Sequence, residues 1–260
     1  KWYSDVILNQ PLCLSEVNAK ESNNITIMKK YIYILSAVIL AASCSEFLGI
    51  RPAGSIPAEG IDYSNSENIF KPVSAAYASM RSGNVHSFPY ICAFEITSDN
   101  ADKGSSPEDN PTALAFDKFT LDASNSIVND LWVGYYSVVS AANNAISQMS
   151  LFRNAIQNAQ TRVYIDQCEG EAKTIRAYAY FNLVRMFGSV PIVDTVMTSD
   201  QLAALRQSSR EDVYQFIADD LDYAISVLPV SYTSAYAGRI TSFTSRALKA
   251  KAMLYSGDWD

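Results

Sequence analysis

Glu169-Gly-Glu-Ala-Lys-Thr-Ile-Arg-Ala-Tyr-Ala-Tyr-Phe-Asn-Leu-Val-Arg-Met-Phe-Gly-Ser-Val-Pro191 is the stretch whose pattern decides the fold. Ile175, Ala179, Leu183 and Met186 recur at steps of three and four, which places them on one face of a helix. Gly188 stands where a C-terminal cap belongs, and Pro191 cannot continue the helical hydrogen bonding. The spacing predicts one long helix over 160–187.

The same reading works outward in both directions. Ser66 is expected to cap a helix over 67–81, with Ile69, Val73, Ala76, Tyr77 and Met80 on one side and Ser82-Gly83 at its end. Leu131, Tyr135, Val138, Val139, Ala142 and Ile146 predict a helix over 127–149. A fourth begins at Ser208 or Ser209, carries Glu211 and Asp212 where the helix dipole favours acids, and runs to Leu228 before Pro229. Its stripe is Val213, Ile217, Leu221, Ala224 and Leu228. A fifth spans 241–255 and stops at Ser256-Gly257. No segment alternates long enough for a half-buried strand, and Val190 to Val193 is the one short candidate.

Long amphipathic helices joined by Pro/Gly breaks predict an all-α fold of stacked helix hairpins, a tetratricopeptide-like α-α superhelix with irregular loops. Natural solenoids close with a polar capping helix, and none follows the fifth helix before Asp260. The expectation is therefore an N-terminal portion of a longer protein, with Leu248, Met253 and Leu254 partly facing water.

The amino terminus reads as an address. Met28, Lys29 and Lys30 precede an apolar run from Tyr31 to Ala42 and then Ser43-Cys44, the layout of a secretory signal. The run is shorter than the roughly 20 residues that span a bilayer. Residues 1–27 precede this start, lack apolar periodicity and are expected to be upstream read-through. The signal occupies 28–43. Residues 44–65, with Pro52, Gly54, Pro57 and Gly60, form a tether, and 66–260 form the helical domain.

Composition closes off several chemistries. Of 260 residues, 20 are Lys or Arg and 27 are Asp or Glu, a net charge of -7, so the basic footprint of a nucleic-acid binder is missing. One histidine, His86, and four dispersed cysteines are too few for a usual zinc centre. Asp99, Asp102 and Gly104 have a calcium-loop flavour, but Ala101 and Lys103 stand where ligands belong. No Gly-x-Ser-x-Gly elbow, phosphate-cradling loop or His-Glu-x-x-His motif is present. Asp99 with Glu95 or Asp102 is an acid pair of the kind a glycosidase uses, yet acids in a polar loop are too common to support catalysis. No cofactor is expected.

The quoted stretch resembles the hallmark segment of the SusD/RagB family of outer-membrane nutrient-binding lipoproteins. Other stretches agree in order: Phe47-Leu-Gly-Ile-Arg-Pro52, Ala76-Tyr77, Trp132 through Ala145, Ser209-Arg-Glu-Asp-Val-Tyr214, Asp220-Leu221, Leu228-Pro229 and Gly238-Arg239-Ile-Thr. Leu40-Ala-Ala-Ser-Cys44 is similar to a bacterial lipobox, which implies acylation of Cys44 and a surface-exposed protein lipid-anchored to the outer membrane. The resemblance implies a non-enzymatic binder that hands oligosaccharides or peptides to a TonB-dependent, SusC-like transporter. The competing classes are a helical scaffold that binds only proteins and a glycoside hydrolase. For the ligand, the polar loop from Ser98 to Pro111 supplies Asp99, Asn100, Asp102 and Lys103, which suit hydroxyl groups, while Trp132 and Tyr135 are candidates for stacking on a sugar face. Cys92 and Cys168 remain as a possible pair or as two buried thiols.

Overall fold

Apolar residues three and four apart give each segment one face that water disfavours, and the segments bury those faces on one another. The computed structural model describes residues 60–257. Among these, eight helices are formed and no strand. They are α1 Phe70–Met80, α2 Phe88–Ile91, α3 Pro111–Asp117, α4 Ser126–Ala155, α5 Ala159–Phe187, α6 Ser199–Ala204, α7 Arg210–Val227 and α8 Ser242–Ser256. The read-through, the signal, Cys44 and all but the end of the tether lie outside the described residues.

α4 and α5 make the central hairpin. Arg153 meets Asp166 at 2.8 Å, Asn143 meets Arg176 at 2.7 Å, and the rings of Trp132 and Phe187 lie 5.0 Å apart, which fixes an antiparallel register. α7 packs on α5 in the opposite sense through Lys173 and Arg176 to Asp220 and through Tyr180 to Phe216. α8 lies on α7, with Lys249 paired to Asp222, and α1 covers α4 and α5. This is the stacked-hairpin architecture expected from the stripes. Leu131, Tyr135, Val138, Ile175, Leu183, Ile217 and Leu221 form its core.

Two glycines set the closeness of the packing. A Cβ on Gly170 would lie 2.8 Å from Val227 Cγ2 and 3.2 Å from Leu228 Cγ, and one on Gly134 would lie 2.7 Å from the Asn84 carbonyl oxygen. Helix ends follow the predicted chemistry. Ser209 and Asp212 form a capping box at α7, Thr241 and Thr244 another at α8, and Gly188 and Gly257 take φ of 72° and 86° beyond α5 and α8.

Several expectations require correction. Ser66 does not cap α1. Asn65 accepts from the Glu67 amide and starts a 3-10 turn, Ser66–Asn68, and the α-helix begins at Phe70. Val190 to Val193 is not a strand, and among the described residues no strand lies beside it. Its backbone is instead bonded by helix side chains: Tyr136 donates to the Pro191 carbonyl at 2.8 Å, Asn143 donates to the Val193 carbonyl at 2.8 Å, and the Val193 amide donates to Tyr180 at 2.6 Å. α2, α3 and α6 are too short to show a stripe in sequence. Cys92 and Cys168 are both free and buried.

Polar residues of the quoted stretch are internal. Arg176 donates to both oxygens of Asp220, to Asn143 Oδ1 and to the Asp194 carbonyl, each at 2.7 Å. Glu171, fully buried, accepts from Tyr77 at 2.6 Å, from Tyr232 at 3.2 Å and from Arg239, joining α1, α5 and the segment before α8. Burial, and then the Glu171 charge, push the neighbouring Cys168 thiol up to about 12. The hallmark is thus scaffold chemistry.

Candidate ligand-binding face

α2 runs directly into a π-helical turn, Cys92–Ile96, whose Cys92 and Ile96 are buried against Ala113, Phe116 and Ile127. The chain then leaves the core. Ser98 closes the turn by donating to the Glu95 carbonyl at 2.7 Å, and Gly104 and Ser105 reverse the chain at φ 68° and 54°. Asn110 caps α3 by accepting from the Ala113 amide at 3.0 Å, ahead of Pro111 in the first turn. Asn125 caps α4 and also donates to the Thr112 carbonyl at 3.0 Å, so the far end of the loop is tied to the core as well.

On this anchored loop Asp99, Asn100 and Asp102 are exposed. Their side chains accept or donate no hydrogen bond among the described residues. Lys103 differs from the expectation. Its side chain is 5% exposed and its ammonium is occupied by Asp109 and the Ser106 carbonyl, so it braces the loop instead of offering a free cation.

The two aromatic candidates separate. Tyr135 is 0% exposed, with its hydroxyl 3.4 Å from the Val85 carbonyl, so it is a core side chain on the Leu131, Tyr135, Val138 stripe and has no face for a ligand. Trp132 is half-buried between Tyr136 and Phe187, with ring centroids 4.8 and 5.0 Å away. Among the described residues no hydrogen bond, ion pair or ring contact joins it to residues 98–103. A groove of about 410 Å³ is lined by Thr97, at the start of the loop, and by Phe187, against Trp132.

The sequence reading missed a row of rings leading into this loop. His86, Tyr90 and Phe94 stand four residues apart, with centroids 5.2 Å and then 4.5 Å apart. The Arg185 guanidinium ends the row, 4.7 Å from Phe94 and 4.4 Å from Phe181. It donates to Asn182 at 2.6 Å, and its Nε is buried without a partner. Phe88 and Ile91, on the outer side of α2, are 45% and 48% exposed. His86 keeps an exposed edge, yet its partial burial against the rings lowers its pKa and so favours the neutral imidazole. The four-residue spacing was visible, but one helical turn followed by a π turn is too short to stand out. Chemically the segment offers aromatic rings followed, a few residues along the chain, by exposed carboxylates and an amide. Among the described residues no cluster of acids, His and Cys suits a metal.

Residues 52–254 match a SusD-like family model described as starch-binding and associating with the outer membrane. A SusD-like protein of Bacteroides ovatus is 27% identical over 232 residues, 89% of this chain and 40% of that one. SusD-like protein P2 of Formosa agariphila is 26% identical, again over 89% of this chain and 44% of its own length. The chain thus spans about two fifths of the length of these curated relatives. The fold matches that of a SusD-like protein of Bacteroides fragilis with a TM-score of 0.65 at 25% identity, covering 78% of this chain and 38% of that one. A laminarin-binding SusD-like protein gives 0.65 at 26% identity, covering 74% and 41%. A structure solved with a xylogluco-oligosaccharide gives 0.56 at 26% identity, covering 72% and 34%.

Proposed function

The chain belongs to the SusD-like family, and from that membership we propose that it acts as a surface lipoprotein that binds oligosaccharides and passes them, unaltered, to a TonB-dependent transporter. One observation in the structure carries the ligand class: the ring row His86, Tyr90 and Phe94 leads into a rigidly anchored loop whose Asp99, Asn100 and Asp102 have no internal partners. A pyranose has an apolar face that rests on such rings and hydroxyls that need such acceptors and donors. Trp132 is a further half-buried ring, packed against Phe187, which lines the groove that Thr97 also lines. Acyl chains on Cys44 provide the anchor, since each buried methylene contributes about 0.8 kcal/mol and several chains together hold a protein at a membrane.

Isothermal titration of the full chain with laminari-, xylogluco- and malto-oligosaccharides tests the reading. Saturable binding is expected, weakened several-fold in Asp99→Ala/Asp102→Ala, with the sugars recovered at full length by chromatography. Time-dependent shortening of the sugars would make the protein a hydrolase, and failure of every titration would leave a scaffold that binds only proteins. Mass spectrometry of the membrane fraction is expected to find Cys44 acylated, and an unacylated cytosolic protein would overturn the anchor.

A further inference from the structure

Four aromatic rings close around one guanidinium beside the N-terminal half of the hallmark helix, away from the end of that helix that meets the loop face. Arg239 Cζ lies 4.4 Å from the ring centre of Phe70, 5.2 Å from Tyr164, 4.9 Å from Tyr232 and 5.6 Å from Tyr236. Its side chain is 8% exposed and paired with the fully buried Glu171, so the cation cannot leave. Rings in contact with a fixed cation are themselves held in place.

Three of those rings, Phe70, Tyr164 and Tyr236, present another side to solvent, where they line a groove of about 500 Å³ between α1 and the first turns of α5. Ligand pockets commonly have this size. Gln160, Gln167 and Glu67 line the same groove. Their side chains make no hydrogen bond or ion pair among the described residues. Two free amides offer donors and acceptors together, and the carboxylate accepts, which is the complement of a sugar's hydroxyls. Glu67 is the one charged residue of the lining, so an uncharged ligand is favoured over an anion. Because the rings are oriented from behind by Arg239, a ligand stacking on them loses little side-chain freedom on binding.

We infer that this groove is a second site for short neutral oligosaccharides, separate from the loop face and built on the Arg239 aromatic cluster. The inference rests on the glycan-binding reading above. Tyr236 is 55% exposed, so its ring is removable without opening the core. Titration of the full chain with laminari- and xylogluco-oligosaccharides, in the Asp99→Ala/Asp102→Ala background, is expected to show residual binding. Adding Tyr236→Ala should weaken it about tenfold, the scale of one stacking contact plus the hydroxyl it orients, and adding Gln167→Ala should weaken it several-fold. Saturation-transfer NMR should show the sugar's ring protons receiving magnetisation that Tyr236→Ala removes. Binding that neither groove variant changes would overturn the second site and leave the loop reading intact. A wild-type chain that binds no oligosaccharide would overturn both. Should Tyr236→Ala lower the melting temperature sharply, the Gln167→Ala titration decides alone, since that change leaves every ring in place.

Discussion

The polar side chains of α5 and those of the loop after Ser98 are alike in kind and opposite in use. In α5, Glu171, Arg176 and Asn182 are buried at 0%, 4% and 0% exposure, and each has partners inside the protein. In the loop Asp99, Asn100 and Asp102 face water with no side-chain partner, on a backbone tied down at both ends. A buried charge costs several kcal/mol unless fully bonded, so the α5 groups hold one another and are unavailable to a ligand. The loop groups carry no such obligation. The buried polar groups of the most distinctive stretch are therefore engaged in scaffolding, and the proposed recognition rests on the loop and on rings, with Arg185 and Phe187 at the far end of that stretch lining the groove beside them.

The strongest way to break this contrast is to remove Arg176. In Arg176→Met, Asp220 keeps only Lys173 at 3.1 Å, and Asn143 Oδ1 and the Asp194 carbonyl lose their donor. Breaking such a pair costs about 3–5 kcal/mol, read as a lower urea midpoint. Arg176→Met/Asp220→Leu should recover part of that loss, because no unpaired acid remains inside. The loop counterpart, Asp102→Ala, should stay within about 0.5 kcal/mol of the parent. Equal losses in the two regions would remove the distinction.

A smaller effect sharpens the packing side of the comparison. Gly170→Ala places a methyl group 2.8 Å from Val227 Cγ2, so α7 must move or Val227 must turn. Overpacking of this sort costs about 1–3 kcal/mol, reduced by the roughly 1 kcal/mol that alanine favours a helix over glycine. A net loss of about 1 kcal/mol is expected from urea denaturation. Gly83→Ala, where nothing lies within 4 Å, should change little. A stabilised Gly170→Ala would mean that the helices are not in close contact there.

These tests also divide what the sequence disclosed from what it concealed. Stripes and caps are local, and they led to α5, α7 and α8 within two residues and to the start of α4, which runs on to Ala155, six residues past its expected end at 149. The close approach at Gly170 depends on Val227, far along the chain, and glycine spacing alone does not reveal it. Glu171 and Arg239 form one ion pair across 68 positions, so each looks like a solvated charge in sequence. Val190 to Val193 had strand composition, but its backbone partners are side chains from α4 and α5, which no alternation pattern encodes. On the candidate face, the exposure of Asp99, Asn100 and Asp102 was legible because the loop from Ser98 to Pro111 is mostly polar. Lys103 was misjudged because its tie to Asp109 depends on the turn at Gly104 and Ser105. Tyr135 belonged to a stripe and was core for that reason.

His86 stands where the core meets the proposed ligand face, and it is the smallest lever on the comparison. Its ring lies 5.2 Å from Tyr90 and 5.5 Å from Tyr178, and partial burial lowers its pKa below the ordinary value of 6.5. The folded protein thus holds the neutral imidazole, while the unfolded chain takes up the proton first. Stability is complete above the unfolded pKa and falls as pH drops through about 6.5 towards the lower folded value. It is the one histidine of the chain, so no other imidazole titrates in that window. The acids Asp62 and Asp122, held below the usual carboxylate range first by hydrogen bonds from the hydroxyls of Ser64 and Ser124, titrate lower still. Melting temperatures at pH 7.5 and 5.5 should therefore fall more in the parent than in His86→Gln. Equal falls would mean that His86 is as well solvated as Asp99, and the ring row would then begin at Tyr90.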